Sequence, residues 1–212
     1  MGNQLSFEFF PRDILYVIIS LIDENSRFPL LFVSKEINLH IKNQKICFNT
    51  YDIINNCAKS GDVELLKWCK KLNFPWDDET CLYAASNAHF EILKYARENG
   101  CEWDFRTCAY AAQNGHFEIL KWARKNGCKW NFWICRCAAS NGHFEILKWA
   151  RENGCEWNFW TCVCAAENGH FEILKWAREN SCEWNSLVYA YAMKNGYLEI
   201  AQWAKDNGCP SK

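Results

Sequence analysis

Residues 142–168 read GHFEILKWARENGCEWNFWTCVCAAEN, and copies of this stretch organise most of the chain. Further copies begin at Gly61, Ala88, Gly115, Gly169 and Gly196, and every step is 27 residues. Tyr51–Ser60 supplies the front half of a first unit, so about six units run from residue 50 onward, with no insertion to break the register. A period in this range is the mark of a repeat architecture. Each copy is too short to bury its own apolar residues, so neighbouring copies must stack to form one continuous core.

Within a unit the pattern predicts two helices. In the second, Glu145, Lys148 and Glu152 form one polar stripe, as positions i, i+3 and i+7 do on a helix. Ile146, Leu147, Trp149 and Ala150 cover the remaining face, which must be buried. Asn153-Gly154 ends that helix, because glycine accepts the left-handed conformation of a C-terminal cap. Asn158 is the next N-cap, matched by Asp77, Asp104, Asn131 and Asn185. The tryptophan before each cap (Trp76, Trp103, Trp130, Trp157, Trp184) stands at N′, where a hydrophobic staple onto the N4 residue is expected. Ala165 and Ala166 let adjacent first helices approach closely, and Asn168-Gly169 closes the first helix.

These motifs resemble those of the ankyrin repeat. AA-x-N-G-H-F-E-I-L-K followed by N-G-C-x-W-N is similar to the family's AA-x-x-G-H-L-E-V-V-K and G-A-D-V-N. The resemblance covers roughly residues 50–212 and implies an all-α helix-loop-helix solenoid whose business is protein binding. Two departures stand out. The family period is about 33 residues, and the shortfall falls where the family carries an extended hairpin loop. The Thr-Pro-Leu-His signature is replaced by sequences such as Trp160-Thr161-Cys162-Val163. The chain is similar to shortened, Trp-rich ankyrin-like repeats of large DNA viruses and protists.

Residues 1–49 lie outside the repeat. Pro11 opens a helix with Ile14, Leu15, Ile18 and Ile19 at helical spacing, and a second apolar stretch spans Leu30–Val33. This segment resembles an F-box. The resemblance implies docking to the Skp-type adaptor of a cullin–RING ubiquitin ligase through Pro11, Ile14, Leu15, Ile18, Leu31 and Val33. The same residues fit a helical cap over the first repeat's apolar edge, which a solenoid also needs. Met1–Ser6 matches the pattern for N-myristoylation of Gly2. One acyl chain gives marginal membrane binding, and here no basic residues follow at once to reinforce it.

Composition narrows the function class. Lys and Arg total 24 against 25 Asp and Glu, so the basic excess of a nucleic-acid binder is absent. No apolar run reaches membrane-spanning length. Fourteen cysteines without a secretory signal point to free thiols in a reducing, cytoplasmic setting, with peripheral membrane association only if Gly2 is acylated. His89, His116, His143 and His170 recur one per unit, yet helices stacked about 8–10 Å apart cannot easily share a zinc whose ligands lie about 2 Å from it. No metal site, cofactor or catalytic residue is expected. Each candidate catalytic residue type is repeated as scaffold, whereas an active site needs a unique constellation.

Comparison among the units points to a recognition surface. Second helices are near copies, whereas first helices differ at i, i+3 and i+7. The rows are Glu79, Leu82, Ser86; Arg106, Ala109, Gln113; Trp133, Arg136, Ser140; Trp160, Val163, Glu167; and Leu187, Ala190, Lys194. Arg106, Trp133, Arg136, Trp160, Val163 and Glu167 are therefore the expected target-binding residues, tryptophan and arginine being enriched in binding hot spots. Drift on an exposed face, with the two tryptophans packing on neighbouring units, would give the same pattern. The expected function is a substrate receptor that links a target protein to a ubiquitin ligase. A binding scaffold or decoy without the ligase link, tethered through Gly2, is the alternative.

Overall fold

The computed structural model describes residues 50–71 and 73–210. Gly2 and the F-box-like positions Pro11, Ile14, Leu15, Ile18, Leu31 and Val33 lie outside the described residues. Twelve helices and no strand occur among the described residues. The chain parts into two compact units at the Trp76–Asp77 junction. In the first, α1 (Thr50–Ser60) and α2 (Val63–Lys71) pack together over Ile54, Cys57, Ala58, Leu66 and Cys69.

The second unit holds five helical hairpins. Their first helices are α3 (Asp78–Ser86), α5 (Phe105–Gln113), α7 (Phe132–Ser140), α9 (Phe159–Glu167) and α11 (Ser186–Lys194). Their second helices are α4 (Phe90–Glu98), α6 (Phe117–Lys125), α8 (Phe144–Glu152), α10 (Phe171–Glu179) and α12 (Leu198–Asp206). First helices lie side by side in one layer, and each also packs on its own second helix. Close approach within that layer rests on small side chains: Ala84, Ala85, Ala111, Ala112, Ala138, Ala139, Ala165 and Ala166 are fully buried. The core is completed by Ile92, Leu93, Leu120, Leu147 and Leu174 from the second helices.

Such short helices depend on their ends, which leave four N–H and four C=O groups without helical partners. Each first helix is capped as its sequence predicts. The side chains of Asp77, Asp104, Asn131, Asn158 and Asn185 accept from the backbone N–H two residues on. At the C-termini asparagine amides turn back on the chain, as Asn141 Nδ2 does to Cys137 O at 2.9 Å and Asn153 Nδ2 to Trp149 O at 2.8 Å.

The six-residue link from one hairpin to the next (residues 99–104 and their equivalents) holds no strand pairing, in keeping with the period six residues below the family's. Its N-G-C-x-W sequence has a physical reading residue by residue. The cysteine thiol donates to the N-cap carbonyl of its own hairpin: Cys101 to Asp77 O at 3.0 Å, Cys128 to Asp104 O at 3.2 Å, Cys155 to Asn131 O at 3.2 Å. The tryptophan lies under the arginine that ends the second helix, Arg97 over Trp103 at 4.3 Å and Arg151 over Trp157 at 4.2 Å. Trp103 also meets Trp122 of the next hairpin edge-on at 5.8 Å, and Trp122 meets Phe90 at 5.5 Å. Each link tryptophan thus has two ring partners, an arginine and the neighbouring hairpin's tryptophan. The pattern recurs at Trp130, Trp157 and Trp184. These rings span the gaps between second helices.

The histidines form struts between hairpins. His116, His143 and His170 stand at the N-caps of α6, α8 and α10 but make no side-chain cap bond there. Their Nε2 atoms reach the last carbonyls of the preceding first helix: Ser86 O at 2.9 Å, Gln113 O at 3.0 Å and Ser140 O at 3.1 Å. A carbonyl can only accept, so Nε2 carries the proton. The bond satisfies an orphan carbonyl at a helix C-terminus and ties two units together.

Candidate functional site

The expected site residues sit on the first helices, on the side away from the second helices' polar stripe. Within that stripe, each lysine pairs with the glutamate three residues before it. Lys94, Lys148 and Lys175 pair with Glu91, Glu145 and Glu172 at 3.0 to 3.1 Å, and Lys121 pairs with Glu118 at 2.5 Å. The same ammonium groups rest on phenylalanine rings, Lys148 over Phe144 at 4.0 Å for example. Exposed pairs of this kind contribute a few tenths of a kcal/mol, roughly.

The first-helix stripe is rotated from where the sequence put it. Relative to Trp133, the i+3 position lies about 60° to one side, the i+4 position about 40° to the other, and i+7 only about 20° off. The i+3 row therefore sinks into the cleft between adjacent first helices, except at Ala190 on the last of them, which is exposed. Leu82, Ala109 and Val163 are buried there, Val163 completely. Val163 is accordingly a core residue and is withdrawn from the target-binding set. Arg136 stands in the same row, but its long side chain reaches out of the cleft and is only half-buried.

The i+4 row went unread: Tyr83, Tyr110, Cys137, Cys164 and Tyr191. Tyr110 is exposed, and Tyr83, Cys137 and Tyr191 are half-buried. The signal was present as alternation of Tyr and Cys at one helical position.

Of the remaining expected residues, Arg106 is engaged within the chain. Its guanidinium pairs with Asp104 at 2.8 Å and with Asp78 of the preceding hairpin. The two carboxylates hold the guanidinium pKa above its ordinary value. Arg106 acts as a bridge between hairpins rather than as a free hook. Glu167 is half-buried, and its carbonyl accepts from Asn195 Nδ2 at 3.0 Å.

Trp133, Arg136 and Trp160 come together. The Arg136 guanidinium lies over the Trp133 ring at 4.4 Å and over the Trp160 ring, from the next hairpin, at 5.1 Å. Each indole is backed by its neighbour in sequence, Trp133 by Phe132 at 5.9 Å and Trp160 by Phe159 at 5.1 Å. Trp133 remains 38% exposed. Beneath the guanidinium lies the Cys164 thiol: burial pushes it up, and its hydrogen bond with Arg136 opposes that rise. Burial likewise pushes the Cys137 thiol up, to about 11. These are protonated, unreactive thiols at neutral pH.

Among the described residues, no group of three or more His, Cys, Asp or Glu is placed to hold a metal ion. Nor is any described helix long and apolar enough to cross a membrane. What the surface offers is indole faces, phenols and one guanidinium, the chemistry of contact with another macromolecule.

Comparison with known proteins agrees with this architecture. No curated protein matches the chain in sequence. A family model described as ankyrin repeats in many copies matches residues 108–151. The crystal structure of the human ASB11 ankyrin repeat domain is similar in fold, with a TM-score of 0.58 at 16% identity over 74% of this chain and 84% of that one. Family model and fold agree: residues 108–151 match the ankyrin-repeat model, and the stacked hairpins share the fold of an ankyrin repeat domain.

Proposed function

We propose that the chain is a protein-interaction scaffold acting as a substrate receptor, in which the first-helix stripe captures a target protein. The F-box-like segment, through Pro11, Ile14, Leu15, Ile18, Leu31 and Val33, would dock a Skp-type adaptor and bring that target to a cullin–RING ligase. The observation that carries the binding reading is the contrast between the two faces. Second-helix lysines are paired with the glutamates three residues before them, and these pairs repeat from unit to unit. The first-helix face varies, and it displays an aromatic cluster around Arg136. The ligase reading is supported by sequence resemblance in residues 1–49.

Adaptor recovery in pull-downs with the wild type and a Pro11/Ile14/Leu31 triple mutant tests it. Recovery with the wild type and loss with the mutant is the expected result; absence of adaptor, or indifference to the mutations, ends the receptor reading. The second reading is a scaffold or decoy without ligase link, tethered through Gly2, and the Met1–Ser6 pattern favours it. Intact mass of eukaryotically expressed protein, compared with Gly2→Ala, reports the acyl group directly.

A further inference from the structure

Arg136 differs from Arg97, Arg106, Arg151 and Arg178 in how its donors are used. Arg97, Arg151 and Arg178 also lie over tryptophan, and each donates to a backbone carbonyl, of Cys101, Cys155 and Cys182. Arg106 is held by two carboxylates. Arg136 has, among the described residues, no carboxylate within 4.0 Å. It lies against two indoles and the Cys164 thiol.

A guanidinium carries five N–H donors in its plane. Stacking on indoles occupies the faces of that plane and leaves the edge. Half-burial between two rings partly strips water from the charge, which strengthens any charge-assisted hydrogen bond the edge then makes. The rings are themselves braced, by Phe132 and Phe159, so little ordering is needed on binding. The cluster also straddles two hairpins, α7 supplying Trp133 and Arg136 and α9 supplying Trp160.

We propose that the Trp133–Arg136–Trp160 cluster is a receptor for one acidic side chain, Asp or Glu, of a protein partner, carried in an otherwise apolar segment. The inference rests on the reading of the first-helix stripe as the target surface and adds the chemistry of what binds there. A single guanidinium matches a singly charged carboxylate, which it can hold by two parallel hydrogen bonds. A phosphate would bring close to two negative charges onto a stripe whose next acidic residue, Glu167, follows on α9. The open part of the Trp133 ring would take an aliphatic or aromatic neighbour of the acid.

The test is selection of a random linear peptide library on the full chain. Recovered peptides are then synthesised, together with versions in which the acid is replaced by Gln or by phosphoserine. Affinities are measured on the wild type, Arg136→Gln and Arg136→Lys, with thermal melts confirming that each variant is folded. The expected peptides share an Asp or Glu flanked by apolar residues. Acid→Gln in the peptide and Arg136→Gln in the protein each weaken binding about tenfold or more, and the two together cost no more than either. Arg136→Lys falls between. Peptides that lose affinity on Trp133→Ser but lack an acid, ignore Arg136→Gln, or bind better as phosphoserine overturn the acidic-segment proposal and leave the stripe reading standing. Recovery of no peptide, or only of peptides indifferent to Trp133→Ser, Tyr110→Ser and Arg136→Gln alike, overturns the stripe reading itself.

Discussion

Gly142 and Gly154 adopt nearly the same left-handed backbone, with φ of +76° and +79°, yet their surroundings differ. A Cβ on Gly142 would lie 2.8 Å from His170 Cε1, while one on Gly154 would meet nothing within 4 Å. Both alanine substitutions pay the left-handed strain of about 1 kcal/mol or more. Gly142→Ala must also displace the His170 ring from its bond to Ser140 O, and we expect it to cost about 1–3 kcal/mol beyond Gly154→Ala. Thermal melts of the two variants compare them directly, and equal costs would contradict the strut. A second residue-scale expectation comes from Thr107 and Thr161, which are fully buried with no partner for Oγ1 among the described residues. The equivalent positions are Ile134 and Val188, so the site tolerates an apolar branch. Thr107→Val and Thr161→Val should each stabilise by about 1 kcal/mol, relieving an unmet hydrogen bond, or raise Tm by roughly 2–4 °C. A fall in Tm would show that the hydroxyls are satisfied after all.

At the scale of the hairpin, the loop cysteine joins the two ends of each repeat: the buried thiols of Cys101, Cys128, Cys155 and Cys182 donate to the carbonyls of Asp77, Asp104, Asn131 and Asn158 at 3.0 to 3.4 Å. Cys128→Ala and Cys155→Ala each remove one such bond and should cost about 1 kcal/mol in denaturant unfolding. Unchanged stability in both variants would show that the bond does not hold the hairpin closed. The hairpin is also where sequence reading succeeded and failed for identifiable reasons. Caps such as Asn131 and breaks such as Asn153-Gly154 obey local rules, so they could be read directly. The depth of Val163 could not, because it depends on how closely α7 and α11 approach α9. Nor could the pairing of Arg106 with Asp78, which lies 28 residues away, one residue more than a full period.

Across the molecule, repetition has consequences of its own. Each hairpin meets mainly its neighbours, so stability is close to a sum of units and interfaces. Deleting residues 142–168 joins Asn141 to Gly169 in register. The shortened chain should remain helical and melt cooperatively at a lower temperature; loss of the folded state would contradict a modular stack. The period made the solenoid legible from residue 50 onward, because every unit restates the same instructions. Function was less legible, since it rests on the positions that do not repeat, and three of those (Leu82, Ala109 and Val163) turned out to vary within the core. The central claim is that binding resides on the first-helix face. Quantitative proximity labelling with the full chain tests it most directly, comparing the wild type with Trp133→Ser/Arg136→Gln and with Glu145→Gln/Lys148→Gln on the second-helix face. The account predicts a labelled set that is lost with the first pair and kept with the second. A set unchanged by the first pair, or lost equally with both, would contradict it.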